Sequence, residues 1–186
     1  MMEKTIEKKT TRIKWNADPV HSEIAFKVKH MMITDVTGTI SDYKIEALSN
    51  GKDFSDVQVV FTGNPASIST GNTQRDTHLQ SGDFFGSSGN SQIIFESVSY
   101  QKSGSVYNLT GELTIKDVTR RITLTVEFHG LQKDPWGKSR AGFSVTGKID
   151  RSEFGLNWNT ALDNGGVLVS DEVRIMCEIQ MVAENE

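Results

Sequence analysis

Cysteine, long apolar runs and surplus positive charge are all scarce in this chain of 186 residues. Its single cysteine, Cys177, excludes a disulfide framework and any zinc or iron–sulfur site built from several cysteines. Apolar runs extend over only a few residues, which excludes a membrane-spanning helix. Lys and Arg number 20 against 24 Asp and Glu, and the net charge of −4 argues against a nucleic-acid partner.

The opening stretch also lacks the features of an export signal. Residues 1–12 are rich in charge and contain no apolar segment, so a secretory signal peptide is not predicted and we expect a cytoplasmic protein. We expect residues 1–14 to form a flexible arm. Residues 15–183 are then expected to form one domain, because this length suits a single hydrophobic core.

Helix-favouring residues are scarce as well. The chain has 7 Ala and 9 Leu against 46 Val, Ile and Thr. Branching at Cβ costs rotamer freedom in a helix but suits a pleated sheet, so this ratio predicts an all-β fold.

Alternation of apolar and polar residues places the strands. Ile24, Phe26, Val28 and His30 share one face of a predicted strand, and the run from Ile122 to Phe128 alternates in the same way. The apolar face passes from Val36, Gly38 and Ile40 to Tyr43, Ile45 and Ala47, and this change of phase predicts a bulge or bend at Gly38. Asp171 would point inward with Val169 and Val173, which predicts that the last strand either begins near Glu172 or contains a bulge there.

About eight strands joined by short turns follow from this pattern, with longer excursions at 63–90 and 150–168. Short connections make neighbouring strands antiparallel, and their shared apolar face must be covered. We predict an up-and-down β-barrel, with a β-sandwich as the alternative. A short helix is predicted at residues 73–79, within the excursion at 70–85, capped by Asn72 or Thr73.

Several motifs in order resemble the YceI family of lipocalin-like, polyisoprenoid-binding bacterial proteins. The resemblance covers residues 15–181 and rests on stretches of this sequence: Asp18-Pro19-Val20-His21-Ser22 with Ile24-Ala25-Phe26-Lys27-Val28-Lys29-His30 and Val36-Thr37-Gly38-Thr39, then Arg75-Asp76-Thr77-His78-Leu79 with Asp83-Phe84-Phe85, Ile93-Ile94-Phe95-Glu96-Ser97, Gly111-Glu112-Leu113-Thr114-Ile115-Lys116-Asp117-Val118-Thr119 and Ile149-Asp150-Arg151-Ser152-Glu153-Phe154-Gly155-Leu156.

The resemblance implies an antiparallel barrel whose interior takes a long isoprenoid lipid, such as a polyprenyl lipid or a quinone precursor. It implies no catalytic residue and no cofactor, so the expected role is binding, storage or transport. Many members resemble exported proteins with a signal peptide, which this sequence does not show. A homodimer is left open.

A ligand-binding interior needs apolar side chains that do not fill it themselves. Alternation and the two excursions nominate these residues as ligand-binding: Phe26, Val28, His30, Phe61, Arg75, His78, Phe84, Phe85, Ile93, Phe95, Leu109, Leu113, Phe143 and Trp158. The same pattern is compatible with a solid core, in which case the protein would be a scaffold that binds another protein. Trp158 either caps the barrel opening or covers the core.

Arg75, Asp76 and His78 form the most reactive cluster in the sequence. On a helix Arg75 and His78 would share a face and could hold a polar head group. They could also serve a small hydrolase or isomerase acting on a hydrophobic substrate, with His78 and Asp76 as acid–base groups and Arg75 holding an anion. The structural alternative is that Arg75 and Asp76 tie the excursion to the barrel through hydrogen bonds.

The remaining titratable residues predict no metal site. The four histidines His21, His30, His78 and His129 have no metal-ligand spacing. Cys177 alternates with Ile175 and Ile179, which predicts a small buried apolar residue.

Overall fold

The computed structural model describes residues 12–86, 92–163 and 165–184. Eleven strands and one helix are present in these ranges: β1 (Ile13–Ala17), β2 (Glu23–His30), β3 (Thr34–Ile40), β4 (Tyr43–Ser49), β5 (Val57–Gly63), β6 (Ile68–Ser69), α1 (Thr73–Leu79), β7 (Ile93–Ser103), β8 (Val106–Ile115), β9 (Val118–Lys133), β10 (Ser139–Asp150) and β11 (Val169–Ala183). Two 3-10 turns, Pro65–Ser67 and Arg151–Phe154, lie at the beginning of the two excursions.

The strands close into an antiparallel barrel of eight positions. β1 and β2 both pair with β11 and together occupy one barrel position. β4 pairs with β1 and β3 pairs with β2, so β3 and β4 together occupy the next position. The remaining neighbours follow chain order from β4 through β5 and β7 to β11, and β1 closes the ring against β11. The predicted eight-strand barrel is confirmed, and the sandwich alternative is wrong.

The predicted helix is also confirmed. α1 spans Thr73–Leu79, and the side chain of Asn72 accepts a hydrogen bond from the Arg75 backbone N–H at 2.9 Å. This capping bond satisfies a donor that the first helical turn leaves without a partner.

Irregularities in the strands change which residues face the barrel interior. The pairing of β11 with β2 shifts between Val169 and Val173, which confirms a bulge around Asp171. The bend predicted at Gly38 is wrong, because Gly38 pairs regularly with Phe26 and the phase changes at the break between β3 and β4. Gly38 instead makes room, since a Cβ there would overlap the ring of Phe26.

The two ends of the barrel differ in their connections. Short turns at residues 50–56, 104–105 and 134–138 lie at one end, which we call the floor. The turns at 31–33 and 116–117 and both excursions, now bounded at 64–92 and 151–168, lie at the other end, which we call the mouth. Long connections therefore gather at one end only.

The N-terminal boundary lies slightly earlier than expected. β1 begins at Ile13, two residues before the predicted domain start at residue 15. Residues 1–11 of the predicted arm lie outside the described residues. In the described part of the chain, no helix has the length and apolar character needed to cross a membrane.

Candidate binding cavity

The barrel encloses a cavity of about 610 Å³. Binding pockets for small molecules have volumes of roughly 300–1,000 Å³, so the space suits a ligand. All of the side chains nominated from the sequence line it: Phe26, Val28, His30, Phe61, Arg75, His78, Phe84, Phe85, Ile93, Phe95, Leu109, Leu113, Phe143 and Trp158. The interior is therefore a lined space and not the solid core that the scaffold alternative requires.

An aromatic cluster closes the floor. Phe54, in the turn between β4 and β5, places its ring centroid 4.8 Å from Trp15, 5.2 Å from Phe128 and 4.9 Å from Phe143. Trp15 and Phe54 are almost fully buried, and the Trp15 indole donates a hydrogen bond of 2.9 Å to Ser49 Oγ. These buried rings fill the floor end of the barrel interior.

Polar side chains lining the cavity cluster at the mouth. Eight of them lie at the mouth ends of strands or in the excursions: Lys29, His30, Thr70, Asn72, Gln74, Arg75, His78 and Arg151. Deeper in the barrel the lining is aliphatic or aromatic, with Tyr100 and Cys177 as its polar members. The cavity therefore runs from an apolar interior to a polar opening.

Arg75 and Asp76 hold α1 against the rest of the mouth. Arg75 Nε donates to Thr70 Oγ1 at 2.7 Å and Nη2 donates to the Thr70 carbonyl at 3.0 Å. Asp76 accepts from the Thr70 backbone N–H at 2.8 Å and from Ser69 Oγ at 3.3 Å. Burial alone would raise the pKa of Asp76, but the Thr70 hydrogen bonds hold it below its usual value. These bonds match the structural alternative stated for the pair.

His78 is paired with a different carboxylate. Its Nε2 lies 2.8 Å from Asp83 Oδ2, and its ring packs edge-on against Trp158 at 4.5 Å and Phe84 at 5.2 Å. Asp76 meanwhile bonds to Thr70. His78 and Asp76, the acid–base groups of the enzyme alternative, therefore bond to different partners.

Arg151 organises the second excursion. Its side chain is 4% exposed, Nε donates to the Ser170 carbonyl at 3.0 Å, and Nη1 donates to the carbonyls of Trp158 at 3.0 Å and Leu156. Nη2 lies 3.0 Å from Asp171 Oδ1. A planar guanidinium can serve several acceptors at once, so Arg151 fixes the backbone that carries Trp158 into the mouth.

Two polar groups lie deeper in the cavity. The Tyr100 hydroxyl is buried and has no hydrogen-bond partner among the described residues, and burial raises its pKa. Its ring stacks on Tyr107 with centroids 4.6 Å apart. Cys177 is buried as predicted, and burial raises the pKa of its thiol to about 11. Within the described ranges no group of three or more His, Cys, Asp or Glu could hold a metal ion.

Comparison with known proteins places this barrel in a family. The model of the YceI-like domain matches residues 15–181. The chain belongs to the YceI family. A UPF0312 protein of Staphylococcus epidermidis is 36% identical over 173 residues, which cover 92% of this chain and 99% of that protein.

Solved structures agree with this assignment. The YceI protein of Campylobacter jejuni superposes with a TM-score of 0.71 at 31% identity, with full coverage of both chains. A polyisoprenoid-binding domain from Saccharophagus degradans shares the fold, with a TM-score of 0.61 and 11% identity over 91% of this chain and 98% of that one.

Three residues important to this YceI-like domain were missed by sequence reasoning. Phe54 is the one large apolar residue in the polar turn at 50–56, a contrast that could have revealed it. Arg151 lies within a family-like motif, but its burial depends on the carbonyls of Leu156, Trp158 and Ser170, which surround the guanidinium only in the folded chain. Tyr100 falls out of simple alternation because the pairing of β7 with β8 shifts between Ser97 and Ser99.

Proposed function

We propose that this YceI-like barrel binds a long isoprenoid lipid, of the polyprenyl or quinone-precursor type, and stores or carries it without catalysing a reaction. The observation that supports this most is the cavity of about 610 Å³, closed by aromatic rings at the floor and lined by apolar side chains over most of its depth. An apolar space of this kind gains free energy from an apolar guest, because the guest's surface leaves water.

The depth of the cavity suits a chain-like guest. Phe143 and Ile149, six residues apart on β10, both line it, and a strand rises about 3.3 Å per residue, so the lining extends about 20 Å along this strand. Each buried methylene contributes roughly 0.8 kcal/mol, and several isoprene units would therefore contribute on the order of 10 kcal/mol. This gain is comparable with the roughly 4–15 kcal/mol that association costs.

The polar mouth suits an amphipathic guest with its chain inward. A head group left at the opening would lie near Arg75, His78 and Gln74, while the chain would pack against the interior. The structural neighbour described as a polyisoprenoid-binding domain supports this ligand class through its shared barrel. A non-catalytic role is supported by the structural use of Asp76, whose carboxylate accepts hydrogen bonds from Thr70 and Ser69.

Extraction of bound lipid tests the proposal directly. Protein purified from bacteria is extracted with organic solvent, and the extract is analysed by mass spectrometry. We expect a prenyl lipid in stoichiometric amount. Repeated extracts without prenyl lipid, together with no binding of added prenyl compounds, would contradict the proposal.

A pair of adjacent tryptophan substitutions tests whether the guest occupies the interior. Val145 lines the cavity, whereas its neighbour Thr146 is exposed on the outer face of β10. Val145→Trp fills the space with an indole and is expected to reduce prenyl-lipid binding at least about tenfold, since a bulky guest can no longer pass. Thr146→Trp should bind as the unmodified chain does. Equal binding by both variants would place the lipid elsewhere.

A further inference from the structure

The turn between β2 and β3 exposes three consecutive apolar residues at the mouth. Met31 is 41% exposed, Met32 58% and Ile33 75%, and we call this segment the Met31–Ile33 tip. Single exposed apolar residues are ordinary, but a contiguous exposed group indicates an interaction site.

The backbone of the tip is strained as well as exposed. Met31 has φ of 51° and Met32 has φ of 60°, and Ile33 N–H donates to the His30 carbonyl at 3.1 Å. Two successive residues with positive φ form a turn that favours Asn-Gly, and methionine at both positions costs free energy. The fold gains nothing from this choice, because neither side chain is buried.

The tip is joined to the cavity opening. Met31 N–H donates to the Leu168 carbonyl at 2.8 Å, and both Leu168 and the neighbouring His30 line the cavity. Val167, 41% exposed, lies next to Leu168. The apolar surface therefore borders the opening through which a guest enters.

Cations surround the base of the tip. Lys29 lies two residues before it, and Lys27 and Arg174 are paired neighbours on β2 and β11. Asp35 is the carboxylate that faces them, 3.0 Å from Lys29 Nζ and 2.6 Å from Arg174 Nη2.

The nearby acids of β11 are already paired. Asp171 lies 3.0 Å from Arg151, and Glu172 lies 3.1 Å from Lys148. The base of the tip therefore carries a local surplus of positive charge on a chain whose net charge is −4.

We propose that the Met31–Ile33 tip inserts into the surface of a lipid bilayer that contains anionic lipids, with Lys27, Lys29 and Arg174 at the level of the head groups. Strand geometry places these cations about 7–13 Å from the tip, which matches side chains inserted about 5–10 Å into the interface. Docking in this orientation directs the cavity opening at the bilayer, where an apolar guest can enter or leave without crossing water.

Vesicle co-sedimentation tests the proposal without any isoprenoid present, so its result is independent of the proposed ligand. The full chain is mixed with vesicles of phosphatidylcholine alone and of phosphatidylcholine with phosphatidylglycerol. We expect binding to the anionic vesicles that weakens with salt, because the cations act through screened charge. No binding to the anionic vesicles would overturn the proposal.

The turn variant Met31→Asn/Met32→Gly separates docking from folding. It relieves the backbone strain and should raise the melting temperature, yet it removes two apolar side chains and should lower vesicle binding at least about tenfold. A loss of binding in a more stable protein cannot come from unfolding. Unchanged binding would overturn the proposal.

Trp136→Ser is the matched control at the floor end. Trp136 is 82% exposed, a larger fraction than that of any tip residue, so nonspecific adhesion through exposed apolar side chains would depend on it at least as much. We expect this variant to bind vesicles as the unmodified chain does, and an equal loss would contradict the proposal. A dimer seen by gel filtration that the turn variant abolishes would also contradict it, because the tip would then bind a second copy.

Discussion

The floor and the mouth of this barrel are built by different interactions. At the floor, aromatic rings pack in tilted and edge-on arrangements around Phe54, and the turns between strands are short. At the mouth, rings such as Trp158 lie among hydrogen bonds made by Arg151, Arg75 and Asp76. Closely packed rings exclude water from the floor, whereas the hydrogen bonds at the mouth hold the backbone in place without filling the space between the side chains. The comparison predicts that ring packing stabilises the floor, whereas at the mouth hydrogen bonds hold the backbone and ring packing contributes little.

Removal of the Phe54 ring is expected to have the largest effect on stability. Phe54→Ala would leave a cavity against Trp15, Phe128 and Phe143 and should lower the free energy of unfolding by about 3–5 kcal/mol. Phe85→Ala, the same change at the mouth, should cost no more than about 2 kcal/mol, because that ring is only partly buried. Urea unfolding measures both. Equal losses would break the distinction between floor and mouth.

Arg151→Lys tests the frame of the mouth. An ammonium cannot reproduce the planar set of donors that serves the carbonyls of Ser170, Leu156 and Trp158. We expect a loss of about 3 kcal/mol from buried carbonyls left without partners, together with faster release of a bound lipid. Arg120→Lys, at an exposed position near the mouth, should change stability by less than about 0.5 kcal/mol. Unchanged stability in Arg151→Lys would mean that the excursion is held by other contacts.

The strands and the cavity lining were predictable because alternation reports which side chains share a face. Phe26, Phe95 and Leu113 lie where period two places them. Asp171, an acid at an inward-facing position, indicated either a later strand start or a bulge, and the bulge is present. The Gly38 prediction was wrong because a strand glycine marks either a bend or a close approach, and the ring of Phe26 is visible only in three dimensions.

Polar contacts across turns were not predictable. His78 pairs with Asp83 because the turn after α1 brings the two together, whereas helix spacing indicated only that His78 shares a face with Arg75. Arg151 is a second example, since a charged residue is expected at the surface unless its acceptors are known. Short-range patterns therefore defined the barrel, while the details of the mouth depend on tertiary contacts.

Low pH is expected to lower the stability of the protein through Asp18, whose ion pair lies near the floor. Asp18 lies 2.9 Å from His21 Nδ1 and 2.6 Å from Arg140 Nη1, and Arg140 also bonds to Asp134 in a floor turn. The hydrogen bond from His21 lowers the pKa of Asp18 most, burial opposes it, and the Arg140 bond adds to the lowering, so this pKa is well below its ordinary value of 3.8. The folded state therefore holds this proton more weakly than the unfolded state does.

The stability supplied by Asp18 is thus present above about pH 4 and is lost as the pH falls further. Asp18→Asn should lower the free energy of unfolding by about 1–2 kcal/mol at neutral pH, and the difference from the unmodified chain should shrink in acid. Thermal unfolding across this range measures it. Asp117→Asn, in an exposed turn at the mouth, should change the free energy of unfolding by less than about 0.5 kcal/mol at neutral pH. A constant difference at all pH values would exclude titration of Asp18 as its cause.

The smallest effect is expected at Tyr100, which lies between the two ends and tests how deep the apolar region extends. Its hydroxyl has no partner in the described part of the chain, so Tyr100→Phe loses no hydrogen bond and should leave stability unchanged or raise it by up to about 1 kcal/mol. Tyr43→Phe is the matched control, because the Tyr43 hydroxyl donates to the Ser22 carbonyl at 3.1 Å and its removal should cost about 0.5–1.5 kcal/mol.

The affinity of Tyr100→Phe for a ligand then shows which part of the ligand lies beside Tyr100. A hydrocarbon chain should bind the variant as tightly or more tightly, because no hydroxyl is left unpaired beside it. A guest whose inner end carries a hydrogen-bond acceptor should instead lose about tenfold in affinity, equivalent to about 1.4 kcal/mol. The second result would mean that the polar end of the guest enters first, and the division into an apolar interior and a polar mouth would no longer describe how the cavity is used.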